Sequence, residues 1–184
     1  NVLIVGDYDV DGITSTVIIK KNLTALGLKP FHITPKRETE GYGLTKKVLK
    51  RGLKLGSMDL IIALDCGTNS KEEADFLEEQ GIDLIIVDHH QSKEEVIRNA
   101  IQVNPLLQDD SNDPWRFLCT AGLAFKISHG ILKRLRKEGL KEAFQINPKE
   151  YLALAGLGTI ADLVPLVKEN RILASFGLKH MHTD

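Results

Sequence analysis

The sequence is poor in several residue types, and each shortage excludes a class of protein. Only two cysteines, Cys66 and Cys119, occur among 184 residues, and they form no CxxC pair, which excludes a disulfide framework. Glycine (15) and proline (6) are too few for a collagenous or low-complexity chain. No apolar run approaches the roughly 20 residues that cross a bilayer, and no segment resembles a signal peptide. We therefore expect a cytoplasmic protein with free thiols and no membrane association.

An excess of charge of one sign is absent as well. Lys and Arg number 24 against 25 acidic residues, which gives a formal charge of −1, whereas nucleic-acid-binding domains usually carry a basic excess. The charge taken alone therefore argues against a polyanionic substrate. The apolar fraction of 42% and the charged fraction of 27% are ordinary for a globular protein. Because the chain starts at Asn1, directly on an apolar segment, we expect it to be a fragment of a longer protein.

Short apolar runs alternate with amphipathic segments over the first 104 residues. Strands are predicted over Val2–Val5, Lys29–Thr34, Asp59–Leu64 and Ile82–Val87, with a weaker one over Ile101–Val103. Helices are predicted over Ile13–Leu26, Thr45–Arg51 and Ser70–Gln80, with a short one near Glu94. This alternation favours an α/β fold, a Rossmann-like and mainly parallel sheet of about five strands with helices on both faces.

The character of the chain changes after residue 104. Residues 105–119 are rich in Asp, Asn, Ser and Pro and predict a loop, and C-terminal helices are predicted over Thr120–Lys137, Lys149–Ile160 and Asn170–His180. The helical segments are short, so we expect them to complete the domain rather than to form another. Residues 1–184 then make one catalytic domain, with an α/β part at 1–104 and a helical part at 120–184.

Three acidic motifs follow three of the predicted strands. They are GDYDVDG at 6–12, LDCG at 64–67 and VDHH at 87–90. The carboxyl ends of parallel strands meet at one edge of a sheet, where α/β folds bind ligands. Two carboxylates about 4 Å apart repel by about 4 kcal/mol at an effective dielectric constant near 20, and divalent cations relieve this repulsion. Oxygen ligands with imidazole suit Mn²⁺, Mg²⁺ or Zn²⁺, so the motifs predict two metals about 3.5–4 Å apart, as in enzymes that act on phosphate esters.

Each motif has a simpler interpretation when it is taken singly. DxDxDG resembles the start of a calcium-binding loop, but Ile18 stands at the twelfth position, where such a loop has Glu. Asp65 could cap a helix, and His89 with His90 could be a structural pair. A nucleotide-binding α/β module would need a glycine-rich turn after the first strand, where acids stand instead. The occurrence of acids at three strand ends favours the metal site.

At residues 88–90, DHH, the chain resembles the DHH phosphoesterase superfamily, and it is most similar to the RecJ-type single-strand-specific exonucleases. GDYDVDGITS at 6–15 is similar to that branch, because the branches that act on small substrates have a His where this chain has Asp7. Further similar segments are PKR at 35–37, EGYGL at 40–44, TAG at 120–122, GTIADLVPL at 158–166 and NR at 170–171. The resemblance extends in order over nearly the whole chain.

The resemblance implies roles for individual residues. The implied metal ligands are Asp7, Asp9, Asp11, Asp65, His89 and Asp162, with Asp65 bridging the two metals; which of the first two binds directly stays open. Asp65, His89 and His90 are the implied catalytic residues, with His90 on the substrate phosphate or orienting a ligand. Asp88 would hold a histidine in its tautomer. Spacing alone does not indicate Asp162, because an acid after an apolar helix is typical of a helix cap.

The resemblance also implies an activity, namely hydrolysis of single-stranded DNA from its 5′ end into mononucleotides, in DNA repair and recombination. Two Mn²⁺ ions, or Mg²⁺, would hold the attacking water and neutralise charge on the phosphate. Arg37 would bind a terminal or scissile phosphate, or would instead form a salt bridge with Glu38 or Glu40. We expect a monomer with single-stranded DNA as its partner, joined in a full-length protein by a single-strand-binding protein or a helicase. The family's second, DHH-associated domain and its OB-fold domain do not occur in these 184 residues.

Two other functions remain open within the resemblance. An oligonucleotide or small phosphoester hydrolase would use the same metals, but the acidic first motif and the GYG segment favour the exonuclease. A non-catalytic replication scaffold has the same fold, and it predicts lost ligands, whereas every expected ligand position is filled here.

Overall fold

The computed structural model of the protein describes residues 1–93, 96–107 and 113–181. Its sheet has five strands, β1 (Val2–Gly6), β2 (Phe31–Ile33), β3 (Leu60–Leu64), β4 (Asp83–Val87) and β5 (Ile101–Val103). Their spatial order is β2-β1-β3-β4-β5, and every neighbouring pair is parallel. The sheet confirms the predicted fold class.

Eight helices accompany the sheet in the described part of the chain. They are α1 (Val10–Ala25), α2 (Arg37–Glu40), α3 (Lys46–Gly52), α4 (Lys71–Glu79), α5 (Thr120–Lys137), α6 (Lys141–Gln145), α7 (Leu152–Ala161) and α8 (Lys168–Met181). Single 3₁₀ turns cover Leu53–Leu55, Pro105–Leu107 and Pro148–Tyr151. The short helix predicted near Glu94 lies outside the described residues. None of the described helices is long and apolar enough to cross a membrane.

Two differences from the predicted helices have clear causes. Helix α1 begins at Val10 and not at Ile13, because Asp9 caps it by accepting a hydrogen bond from the Gly12 amide at 2.9 Å. The polar residues of this first turn have no apolar periodicity, so the pattern assigned them to a loop. Helices α2 and α6 have four and five residues, which is too short to show a 3.6-residue period.

Both faces of the sheet are buried. Leu3 and Val5 of β1 belong to one apolar core with residues of α3 and α4. The alternate residue Ile4 belongs to a second core with residues of α1, α5 and α7. Coverage on both faces explains why the strands are continuous apolar runs rather than alternating ones.

Helix α7 packs closely on α1 and α5, and this packing brings its C-terminal end to the sheet edge. Gly158 permits the approach, because a Cβ atom there would lie 2.5 Å from the Ala121 Cβ and 2.6 Å from the Thr14 Oγ1. Asp162 is the C-cap residue of α7 and is thereby carried to the carboxyl ends of the strands.

Candidate metal centre

Three neighbouring strands end in an aspartate at the same level of the sheet. Asp7 follows β1, Asp65 follows β3 and Asp88 follows β4. The backbone hydrogen bonds of the sheet extend to these residues. The Asp7 amide donates to the Leu64 carbonyl at 3.1 Å, and the Asp65 amide donates to the Val87 carbonyl at 2.9 Å. All three aspartates are buried. The strand register therefore brings the three predicted motifs to one place.

Asp11 is held by the N-terminus of α5. Its Oδ2 accepts a hydrogen bond from the Thr120 amide at 2.7 Å, and its Oδ1 accepts one from the Ala121 amide at 2.8 Å. The first amides of a helix lack partners within the helix, and its dipole favours a carboxylate there. Helix α5 thus fixes the carboxylate of Asp11, which lies in the first turn of α1.

Asp65 has an unusual backbone. Its φ of 63° is in the left-handed region, which a non-glycine residue seldom adopts and which is often found at functional sites. Its Oδ1 accepts a hydrogen bond from the Thr120 hydroxyl at 3.1 Å, whereas its Oδ2 is buried without a partner. The turn therefore directs a partly unsatisfied carboxylate into the cluster.

His89 points into the cluster of carboxylates. Its Nε2 lies 3.4 Å from the Asp65 Oδ1, 3.5 Å from the Asp162 Oδ2 and 3.7 Å from the Asp11 Oδ2. This nitrogen is buried and makes no hydrogen bond. An imidazole nitrogen surrounded by three carboxylates, and bound to none of them, is suited to a metal ion.

The carboxylate of Asp88 binds His90 and Thr68. Its Oδ1 lies 2.7 Å from the His90 Nδ1, and its Oδ2 accepts hydrogen bonds from the amide and hydroxyl of Thr68 at 3.0 and 2.7 Å. Although burial alone would raise the pKa of Asp88, the hydrogen bonds from His90 and Thr68 hold it well below its usual range. The same bond raises the pKa of His90. This arrangement assigns the Nδ1 proton to the bond with Asp88 and leaves the Nε2 of His90, whose side chain is 45% exposed, for another partner.

The clustered carboxylates have raised pKa values. Burial, together with the charges of Asp11 and Asp9, raises the pKa of Asp65 to about 10. Burial also raises the pKa of Asp7 and that of Asp162. The repulsion expected from the sequence is therefore present, and without cations it is relieved by protons.

The donor atoms fit divalent metal ions. Among the described residues there are three sets of possible ligand atoms, and the atoms within each set lie within 4.8 Å of one another. The sets are Asp7 with Asp9 and Asp65, Asp11 with His89 and Asp162, and Asp65 with His89 and His90. Three buried atoms of these sets lack hydrogen-bond partners, the Oδ2 atoms of Asp7 and Asp65 and the Nε2 of His89. Leaving such atoms unsatisfied costs about 1–3 kcal/mol each, and metal ligation would satisfy them.

Comparisons with known proteins agree with this geometry. A profile of the DHH family, N-terminal domain, matches residues 1–159. The chain belongs to the DHH family. It is 38% identical over 180 residues to the single-stranded-DNA-specific exonuclease RecJ of Bacillus subtilis strain 168, an alignment that covers 98% of this chain and 21% of the relative.

Solved structures give the same result for this DHH-family chain. A crystal structure of exonuclease RecJ bound to manganese has a TM-score of 0.82 at 34% identity and is matched over 97% of this chain and 43% of the other. RecJ from Thermus thermophilus in complex with Mn²⁺ has a TM-score of 0.76 at 31% identity, over 97% and 24% of the two chains. The chain thus spans about a fifth of the Bacillus relative and less than half of either crystallised protein.

Arg37 lies at the rim of the candidate metal centre. It is exposed at the start of α2, and its guanidinium carbon is 5.6 Å from the centre of the Tyr8 ring. The alternative of a salt bridge with Glu40 is wrong, because Arg51 binds that carboxylate through two hydrogen bonds of 2.5 and 2.8 Å. Among the described residues, no carboxylate pairs with Arg37, so its charge remains available at the rim.

Three polar residues that the sequence did not identify as functional support the DHH motif. Thr68 binds Asp88, and Thr120 binds Asp65. Asn104 is buried and donates to the Thr68 hydroxyl at 3.0 Å and to the His90 carbonyl at 2.9 Å. Asn104 directly follows β5, so the strand-end criterion that selected the aspartates could have found it.

Proposed function

We propose that this chain is the catalytic part of a metal-dependent phosphodiesterase that degrades single-stranded DNA from the 5′ end into mononucleotides. The observation that carries the proposal is that five aspartates and His89 lie close together. Three buried ligand atoms among these residues have no hydrogen-bond partner. The relatives support the substrate class, because they are named single-stranded-DNA-specific exonucleases. An exonuclease RecJ of similar structure has been crystallised with manganese.

Two divalent cations, Mn²⁺ or Mg²⁺, would be held by Asp7, Asp9, Asp65, Asp11, His89 and Asp162. Asp65 belongs to two of the sets of clustered atoms, which suits a bridging ligand. When bound, the cations supply a nucleophilic water at neutral pH and neutralise charge on the phosphoryl oxygens. Of the first two aspartates, Asp7 is better suited to direct ligation, because its Oδ2 is buried and unpartnered, whereas Asp9 already caps α1.

Two positively charged side chains would position the substrate. The Nε2 of His90 would donate to the scissile phosphate, since Asp88 favours the charged imidazole and charge-assisted hydrogen bonds to phosphate are strong. Arg37 at the rim would bind the terminal or the scissile phosphate in a bidentate manner. Both side chains lie beside the metal cluster and add positive charge to it.

The other expectations remain predictions. Cys66 and Cys119 are free and buried, as suits a reducing cytoplasm. A monomeric state, and a single-strand-binding protein or a helicase as partners of a full-length protein, rest on the family resemblance alone. The scaffold alternative is less well supported, because six ligand candidates meet at the sheet edge.

A labelled DNA strand tests the proposal. A 5′-phosphorylated single strand labelled at either end, and its duplex counterpart, are incubated with the chain in Mn²⁺ and in EDTA. We expect mononucleotides from the 5′ end of the single strand in Mn²⁺ alone, with Asp65→Asn as the inactive control. Cleavage that persists in EDTA or in the Asp65→Asn variant would overturn the proposal.

A further inference from the structure

A cavity of about 540 Å³ adjoins the metal centre. Asp88 and His90 form the part of its wall that it shares with the centre, and Tyr42, Asn69, Gln91 and Lys93 also line it. The volume is within the range of small-ligand sites in proteins. Apart from His90, none of the metal-ligand candidates lines it. Metal binding therefore does not explain the cavity.

The cavity wall is held by hydrogen bonds between two loops. Asn69, in the loop after β3, donates to the Gln91 carbonyl at 3.2 Å and accepts from the Lys93 amide at 2.7 Å. Asn104 holds the His90 carbonyl at 2.9 Å. These bonds fix the backbone from which His90, Gln91 and Lys93 extend, so the cavity is built before any ligand arrives.

The cavity suits a nucleoside that is bound without selection for a particular base. Leu44 and Cys66 give it a buried apolar floor, and Tyr42 is 56% exposed with its ring edge-to-face against Tyr8 at 5.9 Å. An exposed aromatic face can stack on any base. The Ser70 hydroxyl and the Asn69 side chain are already bonded within the protein, which leaves few groups to distinguish one base from another.

Lys93 adds a positive charge to this wall. Its side chain is exposed, and no carboxylate among the described residues pairs with it. An ammonium group on a flexible stem can bind a phosphate without exact geometry. It stands three residues after His90, on the backbone that Asn69 fixes.

We propose that this cavity is the subsite for the nucleoside on the 3′ side of the scissile phosphate, and that Lys93 binds the next phosphate of the strand. The inference rests on the proposed function, because His90 then marks the position of the scissile phosphate. The sugar and base attached to that phosphate enter the cavity, and the strand leaves past Lys93.

Binding measurements test the role of Lys93. Anisotropy of a fluorescein-labelled oligo-dT is measured with Ca²⁺ in place of Mn²⁺, and gel electrophoresis verifies that the strand stays intact. We expect Lys93→Ala to weaken binding about five- to tenfold, as for loss of one solvent-exposed hydrogen bond, and Lys93→Glu to weaken it further. The slope of log affinity against log salt should fall by about 0.7 for one lost phosphate contact.

A lysine remote from the cavity is the matched control. Lys54 is exposed in the turn that precedes β3, at the opposite edge of the sheet, and Lys54→Ala should bind within about twofold of the parent chain. Unchanged affinity and salt slope in Lys93→Ala would overturn the inference. An equal loss in Lys54→Ala would also overturn it, since the effect would then come from overall charge.

Substrates of different length test which phosphate Lys93 contacts. A dinucleoside monophosphate has its only phosphate at the metals, whereas a trinucleotide also has one at Lys93. Lys93→Ala should therefore lower the kcat/KM ratio of trinucleotide to dinucleotide about five- to tenfold. Gln91→Trp, at an exposed position of the wall, should fill the cavity and raise the KM of both substrates. An unchanged ratio together with an unchanged KM would contradict the subsite.

The two proposals fail in different ways. If the parent chain cleaves no phosphodiester in Mn²⁺, including the small substrate bis(p-nitrophenyl) phosphate, the proposed function is wrong. If it cleaves single strands while Lys93→Ala and Gln91→Trp behave as the parent chain does, only the subsite is wrong.

Discussion

Asp65 combines three features that rarely occur together, a left-handed backbone, nearly complete burial and a raised pKa. Aspartate is among the few non-glycine residues that tolerate this backbone region. The hydroxyl of Thr120 binds one of its oxygens, and the other has no partner. Such a residue serves binding at the expense of stability in the metal-free protein.

The variant Asp65→Asn tests this interpretation. It replaces a carboxyl group whose ionisation is unfavourable in the buried cluster by a neutral amide, so the metal-free variant should unfold at a temperature no lower than that of the parent chain. It should also lose metal-dependent hydrolysis by more than about 100-fold, the upper range for loss of a partner that only supports a metal ligand. Thermal unfolding with and without Mn²⁺ and the strand assay measure both effects. Metal-dependent stabilisation equal to that of the parent would contradict the role of Asp65.

Asp88 acts through His90 rather than on the cations. Asp88→Asn should reduce hydrolysis about 10- to 100-fold, less than the loss in Asp65→Asn. Because the bond to Asp88 raises the pKa of His90, the variant should lower that pKa, and NMR titration of the metal-free chain would detect the shift. A merely structural role would leave the titration of His90 where it is in the parent chain.

The strand-end criterion explains which site residues could be predicted from the sequence. The aspartates and histidines of the three motifs follow apolar strands directly, so local sequence sufficed. Asp162 required the family resemblance, and Thr120 was not identified, because these residues reach the cluster through the packing of α5 and α7 on α1. No periodicity within one segment encodes contacts between distant helices.

At the scale of elements, the strands and the longer helices were predicted well because apolar periodicity specifies them. β5 and α5 have the predicted bounds, whereas α1 starts three residues early because its first turn is capped and polar. The short elements α2 and α6 were missed, since too few residues are available to show a period. The errors fall in short helices and at the ends of elements, as in β2, which was predicted over Lys29–Thr34 and covers Phe31–Ile33.

The crossing of α7 and α8 gives a prediction at this scale. A Cβ atom on Gly156 would lie 2.8 Å from the Gly177 Cα and 2.9 Å from the Leu173 carbonyl oxygen, which are backbone atoms that cannot easily move. Gly156→Ala should therefore force the helices apart and destabilise the fold by about 1–3 kcal/mol. Urea unfolding measures the change in the free energy of unfolding.

Gly130 is the matched control within α5. Nothing lies within 4 Å of a Cβ atom placed there, so Gly130→Ala should stabilise the protein by about 0.4–1 kcal/mol through helix propensity and chain entropy. If Gly156→Ala were as stable as Gly130→Ala, the close crossing of the two helices would be disproved.

At the scale of the whole molecule, the formal charge of −1 conceals a separation of charge. Six aspartates lie at or beside the metal centre, namely Asp7, Asp9, Asp11, Asp65, Asp88 and Asp162, and without them the rest of the chain has a formal charge of +5. Composition alone argued against a polyanionic substrate because it averages over these two regions. Bound divalent cations would make the whole chain positive, as suits a protein that binds phosphate.

The metal-free protein should become less stable as the pH rises. The pKa of Asp65 is about 10 in the folded chain against an ordinary 3.8, so between these values the folded state keeps a proton that the unfolded state has lost. This contribution to stability is fully present below pH 3.8 and is lost as the pH rises toward 10. Asp7 and Asp162, whose pKa values are also raised, act in the same direction.

Between pH 7 and 9 the groups with lowered pKa values no longer contribute to the pH dependence, and the raised pKa of His90 acts in the same direction as that of Asp65. The lowered pKa values of Asp88 and His32 act in the opposite direction, but only below their ordinary values of 3.8 and 6.5. Between pH 7 and 9 the free energy of unfolding in EDTA should therefore fall, by up to about 1.4 kcal/mol per pH unit for each proton retained. Saturating Mn²⁺ should raise the stability and reverse the trend, because metal and protons compete for the same oxygens. Urea unfolding at the two pH values, with EDTA or Mn²⁺, measures all four free energies, and a metal-free chain that gains stability from pH 7 to 9 would contradict the repulsion among these carboxylates.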